Sequence, residues 1–121
     1  MKSKALSMAV LVAAAGAFSA GSVEAQEATT MTADVIDIAC YVNMGLKGEQ
    51  HRECAQVCAD AGLPLGFLGE DGNVYFATGE GMPAPPANEM LRPHAEHTVT
   101  VEGEVHERSG ARSIVVSKVS M

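Results

Sequence analysis

"HTVTVEGEVHERSGARSIVVSKVS", residues 97–120, is the stretch whose reading decides the fold. Val99, Val101 and Val105 fall on one face of it, while Thr98, Thr100, Glu102, Glu104 and His106 fall on the other. A period of two is that of a half-buried strand, and it predicts His106 to be exposed. Gly103 interrupts the apolar row, as a bulge or sharp bend requires. "SGAR" (109–112) turns the chain and "SIVVSKVS" (113–120) brings it back as a paired strand.

Working outward from this pair, "LPLGFLGEDGNVYFATG" (63–79) reads as two strands around Asp71-Gly72, residues that tolerate the positive φ of a tight hairpin. "EGMPAPPAN" (80–88) carries three prolines and predicts a surface loop. "NEMLRPHAE" (88–96) predicts one short helical turn, capped by Asn88 and limited by Pro93. "DVIDIACYV" (34–42) is β-branched and apolar and predicts a first strand, ended by the glycines of "NMGLKG" (43–48). Glu49 to Ala61 holds neither proline nor glycine, has apolar residues at helical spacing and stops at Gly62, so it predicts a helix.

The expected order is strand, helix, two strands, short helix, two strands. Five short strands with a glycine-bent fourth resemble an OB-fold barrel. More closely, the "CY" of Cys40-Tyr41 followed by H-x-x-C-x-x-x-C at His51, Cys54 and Cys58 resembles a group of small exported bacterial OB-fold-like domain proteins of unassigned function. That resemblance implies a mainly β fold: a small five-stranded OB-like barrel with a helix inserted between strands 1 and 2. A general α+β domain is the fallback. It implies no activity.

The chain opens "MKSKALSMAVLVAAAGAFSAGSVEA" (1–25), in which Lys2 and Lys4 precede an apolar run and small residues lead to Ala25. This is the order of a secretory signal peptide, and the run is shorter than the ~20 residues of a membrane-spanning helix. Residues 26–33 then read as a flexible leader and 34–121 as a single domain, exported to the periplasm or secreted, with no membrane attachment after cleavage. The formal net charge of −7 repels nucleic acid and anionic headgroups. Beyond Phe18, the aromatic residues are only Tyr41, Phe67, Tyr75 and Phe76, too few for stacking single-stranded bases. No G-x-S-x-G, P-loop, H-E-x-x-H or dinucleotide fingerprint is present. Enzymatic function is therefore not expected from any motif.

Chemistry concentrates in "EQHRECAQVCADAG" (49–62) and Cys40. On a helix His51, Cys54 and Cys58 fall within a ~60° arc, but His51 and Cys58 are ~10.5 Å apart along the axis. Cys54 with Cys58 is the expected pair of metal donors, and His51 joins if the first helical turn is distorted. The Cβ atoms of Cys54 and Cys58, ~5–6 Å apart, are too distant for a disulfide within the helix. Two arrangements follow. Cys40 forms a disulfide with Cys54 or Cys58, leaving a spare thiol. Alternatively Cys40, Cys54 and Cys58 converge on a copper or zinc ion, with His51 or Met44 as the fourth donor. The first arrangement implies a disulfide-stapled interaction module for a protein or small ligand. The second implies a metal-binding protein for storage, transfer or sensing. His94 and His97, three apart, read as two solvated histidines rather than a metal pair.

Overall fold

A computed structural model describes Gly16 and residues 28–121. The signal sequence read at 1–25 lies outside the described residues except for Gly16. Strand β1 (Ala28–Asp37) leads into helix α1 (Ile38–Met44), a 3₁₀ turn (Glu49–His51) and helix α2 (Arg52–Asp60). Strands β2 (Leu65–Gly69) and β3 (Val74–Thr78) follow, then the short helix α3 (Asn88–Leu91) with a 3₁₀ turn (Arg92–His94), and finally β4 (Thr98–Arg108) and β5 (Ala111–Ser120). The domain is mainly β, as expected. Its five strands close on themselves in the order β1-β2-β3-β5-β4. All pairings are antiparallel except β3 with β5. Among the described residues, no helix is long and apolar enough to cross a membrane.

The β4–β5 pair matches the opening reading. Val99 and Val101 are buried and Val105 packs against the core from its margin. The register shifts between Glu102 and Gly103, and a Cβ on Gly103 would stand 2.2 Å from the Val115 carbonyl oxygen. Glycine is therefore required where the strand bends. His106, expected to be exposed, is half-buried instead. Phe67, Ile36, Leu65, Leu91, Ile114, Val35 and Val101 fill the interior, each burial worth about 1.5–3 kcal/mol.

The first strand departs from expectation at both ends. It begins at Ala28, within the stretch read as a flexible leader, because residues 28–34 pair with β4 from Glu104 to Thr98. It stops at Asp37 rather than running to Val42. The Asp37 carboxylate accepts the Cys40 N–H at 3.0 Å and caps a helix over residues that strand propensity favours. Gly45, at φ 69°, closes that helix with its N–H on the Tyr41 carbonyl at 2.8 Å.

Helix α2 ends as predicted, with Gly62 at φ 92° and the Leu63 N–H bonded to the Cys58 carbonyl at 3.0 Å. Asn88 does not cap α3, whose cap position is Ala87. Its amide ties separate segments together: Oδ1 accepts from the Leu65 N–H at 2.9 Å, and Nδ2 donates to the Leu63 and Ala59 carbonyls at 2.8 and 3.2 Å. Replacing it with alanine strands the buried Leu65 N–H. Asn88→Ala is expected to lower unfolding free energy by about 2 kcal/mol, measured by urea denaturation.

At the β2–β3 turn, Asp71 accepts from the Tyr75 hydroxyl at 2.6 Å and from the Asn73 side chain and backbone. These bonds, the Tyr75 hydroxyl first, hold its pKa down at about 2. A carboxyl depressed in the folded state stabilises the fold above its unfolded pKa, and that stability is lost as pH falls toward 2. Acid unfolding curves of Asp71→Asn should therefore be flatter than wild type between about pH 4 and 2.

Candidate metal centre

Three insertions of local chemistry meet at the C-terminal end of β1. Asp37 ends the strand, Cys40 sits in the first turn of α1, and His51 closes the 3₁₀ turn before α2. One potential ligand atom from each lies within 4.8 Å of the others. Asp37 is fully buried and His51 is 9% exposed, while Cys40 is half-buried.

Backbone contacts hold this trio. Oδ1 of Asp37 is committed to the Cys40 N–H, which fixes the carboxylate against the thiol-bearing turn. His51 donates its backbone N–H to the Gly48 carbonyl at 2.8 Å. Gly48, at φ 100°, gives its own N–H to Oε2 of Glu96 at 2.7 Å. Glu96 is in turn bonded through its backbone to the Val35 carbonyl at 2.8 Å, two residues before Asp37. The loop that carries His51 is thus pinned to the strand that carries Asp37.

Several polar atoms here lack protein partners. Oδ2 of Asp37, Nε2 of His51 and Oε1 of Glu96 are all buried without a hydrogen bond. Each such group costs about 1–3 kcal/mol, and more when charged. Burial pushes the Cys40 thiol above its ordinary range, helped by the neighbouring Asp37. Asp37 beside Cys58, followed by burial, pushes that thiol up to about 12. Burial also raises the Glu96 carboxyl, against the opposing Gly48 N–H. A cation beside such groups reverses this balance, because a coordinating thiol loses its proton.

Of the predicted ligands, Cys40 and His51 are brought together. The distorted first turn named as the condition for His51 is the 3₁₀ turn Glu49–His51. Ala55 and Ala59 follow His51 on the buried side of α2, which leaves Cys58 half-buried on the flank and Cys54 exposed. Neither cysteine of α2 belongs to the close trio. Met44 is 62% exposed at the end of α1. The predicted disulfide of Cys40 with Cys54 or Cys58 is not formed, and all three cysteines are free thiols. The helical turn after Asp37 brings Cys40 into the trio, whereas the expected staple had Cys40 on a strand. His94 and His97, expected to be solvated, are both half-buried, and the His97 ring meets Arg52 and the Glu49 carboxylate.

Asp37 was missed as a site residue because it reads as one polar residue in a strand. Its signal is an acidic residue three before Cys40, the spacing of a helix cap. Compared with protein-family models, curated proteins and solved structures, the chain matches none.

Alkylation should follow exposure and thiolate content. In metal-free, reduced protein, Cys54 is expected to react with iodoacetamide first and Cys58 last at pH 8, as read by peptide mass spectrometry.

Proposed function

We propose that this chain is an exported metal-binding protein that holds a zinc or copper ion for storage, transfer or sensing. Asp37, Cys40 and His51 are its inner ligands, and Cys58 is the fourth donor. The observation that carries this reading is the pair of buried, unpartnered atoms, Asp37 Oδ2 and His51 Nε2, beside a half-buried thiol. Carboxylate, imidazole and thiolate together are a borderline donor set, which suits Zn(II) better than Cu(I). Cys58 is chosen because it neighbours both the Asp37 carboxylate and Cys40.

Two wider expectations support the same reading. The strand order β1-β2-β3-β5-β4, with β3 parallel to β5 and a helix between β3 and β4, agrees with an OB-like barrel. The pattern of residues 1–25 agrees with export. An interaction module remains the second reading, favoured by the exposed Val42 and Phe76 beside one shallow cleft.

Elemental analysis and thiol counting on the same exported sample test the proposal. One ion per chain and three thiols after denaturation are expected. Asp37→Asn, Cys40→Ser and His51→Ala should each weaken zinc affinity by about tenfold or more, measured by competition with a chromogenic chelator. Unchanged affinity in both Cys40→Ser and His51→Ala rules the site out.

A further inference from the structure

We infer that the groove beside Phe76, between α1, β3 and the start of β5, docks an extended peptide segment of a partner protein in which apolar side chains alternate with carboxylates. The inference rests on the second reading above, the interaction module, and not on the metal centre.

The groove comes from the way the sheet closes. The parallel β3–β5 ladder begins with Phe76 opposite Ser113. In that register Val74 and Tyr75 would face Ala111 and Arg112, yet no pairing joins them. Residues 111 and 112 pair only with β4, opposite Arg108 and Glu107. The splayed strands leave two clefts of about 530 and 480 Å³, which share Phe76, Ala111 and Arg112 as a common wall. Each is of the size that takes ligand groups. One reaches Val42 on α1 and the other reaches Arg108 at the end of β4, so together they form a groove rather than one closed pocket.

This groove is apolar in its middle and cationic at its rim. Tyr75 and Ala77 are buried in the core, so Phe76 between them points outward and is 47% exposed. Val42, 62% exposed, adds a second apolar surface. Lys47, Arg92 and Arg112 are paired with carboxylates, and Arg52 is held by His97 and the Pro93 carbonyl. Arg108 and Lys118 have no such partner among the described residues, and of these two Arg108 lines the groove. Glu107, the carboxylate of the groove, is already engaged by Arg112 at 3.2 Å. The formal net charge of −7 repels an acidic partner from the surface at large. At this rim its carboxylate meets an uncommitted guanidinium. An extended segment sends successive side chains to opposite sides. Its apolar side chains settle on Phe76 and Val42, and the carboxylates between them stand at the rim with Arg108.

The test titrates the ¹⁵N-labelled full chain with a capped peptide of roughly eight residues that alternates aspartate and leucine, in about 50 mM NaCl, and reads amide shifts. Shifts are expected at Phe76, Ala111, Arg112 and their neighbours. Affinity should fall about fivefold or more in Phe76→Ala and in Arg108→Glu. It should stay within about twofold in Lys118→Glu, which reverses the other uncommitted cation away from the groove. A serine-leucine or lysine-leucine peptide that binds the groove as well as the aspartate-leucine one overturns the acidic partner but keeps an interaction module. Shifts at the groove that grow with protein concentration alone make a second copy the occupant and overturn the inference. If none of the three peptides moves these amides, the docking groove falls and the module reading falls with it.

Discussion

The Asp37 carboxylate has two oxygens with different duties, and the arrangement of the rest follows from that division. Oδ1 caps α1 through the Cys40 N–H, so the chain leaves the sheet at residue 37 instead of continuing as strand. Without that turn, Cys40 would alternate along β1 and lie far from the loop that bears His51. Oδ2 is left buried and unpartnered next to the residues that the turn has gathered. A single side chain thus stops a strand, starts a helix and places a buried carboxyl oxygen beside Cys40 and His51.

The insertion between β1 and β2 is held to the domain by contacts from the helical segment between β3 and β4. Arg92 forms a two-pronged pair with Asp60 at the end of α2, at 2.6 and 2.9 Å. Gln56 reaches the Arg92 carbonyl and Arg52 reaches that of Pro93. Each surface bond contributes little alone. Together with Asn88 they fix the helix at both ends, which matters because His51 and Cys58 occupy those ends. The segment after α3 carries Glu96 as well, so the piece that fastens α2 also fastens the loop before it.

The parts of the fold legible in the sequence were those with a strict local period or a single decisive residue. Valines at alternate positions around Gly103 gave β4 and its bend, and Asp71-Gly72 gave the hairpin. Gly62 gave the end of α2. The strand read at 34–42 stops at Asp37, because the β propensity of Ile38 and Val42 is weak information against a side-chain cap. Strand pairing of 28–33 with β4 was invisible because small polar residues carry no burial pattern. Two of the three residues of the trio were legible, Cys40 and His51, because cysteine and histidine announce their chemistry. Asp37 was not, since an aspartate becomes a ligand candidate only when burial removes water from it.

The charge balance of the centre narrows what it can hold. Asp37 and Glu96 are carboxyl groups within reach of one another's field, and the Glu96 carboxyl is raised partly by Asp37. His51 opposes that effect only to the extent that it carries a proton. Metal ligation by His51 removes this option, because a ligating imidazole must be neutral at the nitrogen it offers. In the proposed site, an ion would then face the Asp37 carboxylate and the Cys40 and Cys58 thiolates. A divalent cation would offset two of the three negative charges of the proposed ligands, whereas Cu(I) would offset one. For the proposed site, donor type and charge would therefore both favour a divalent ion over Cu(I).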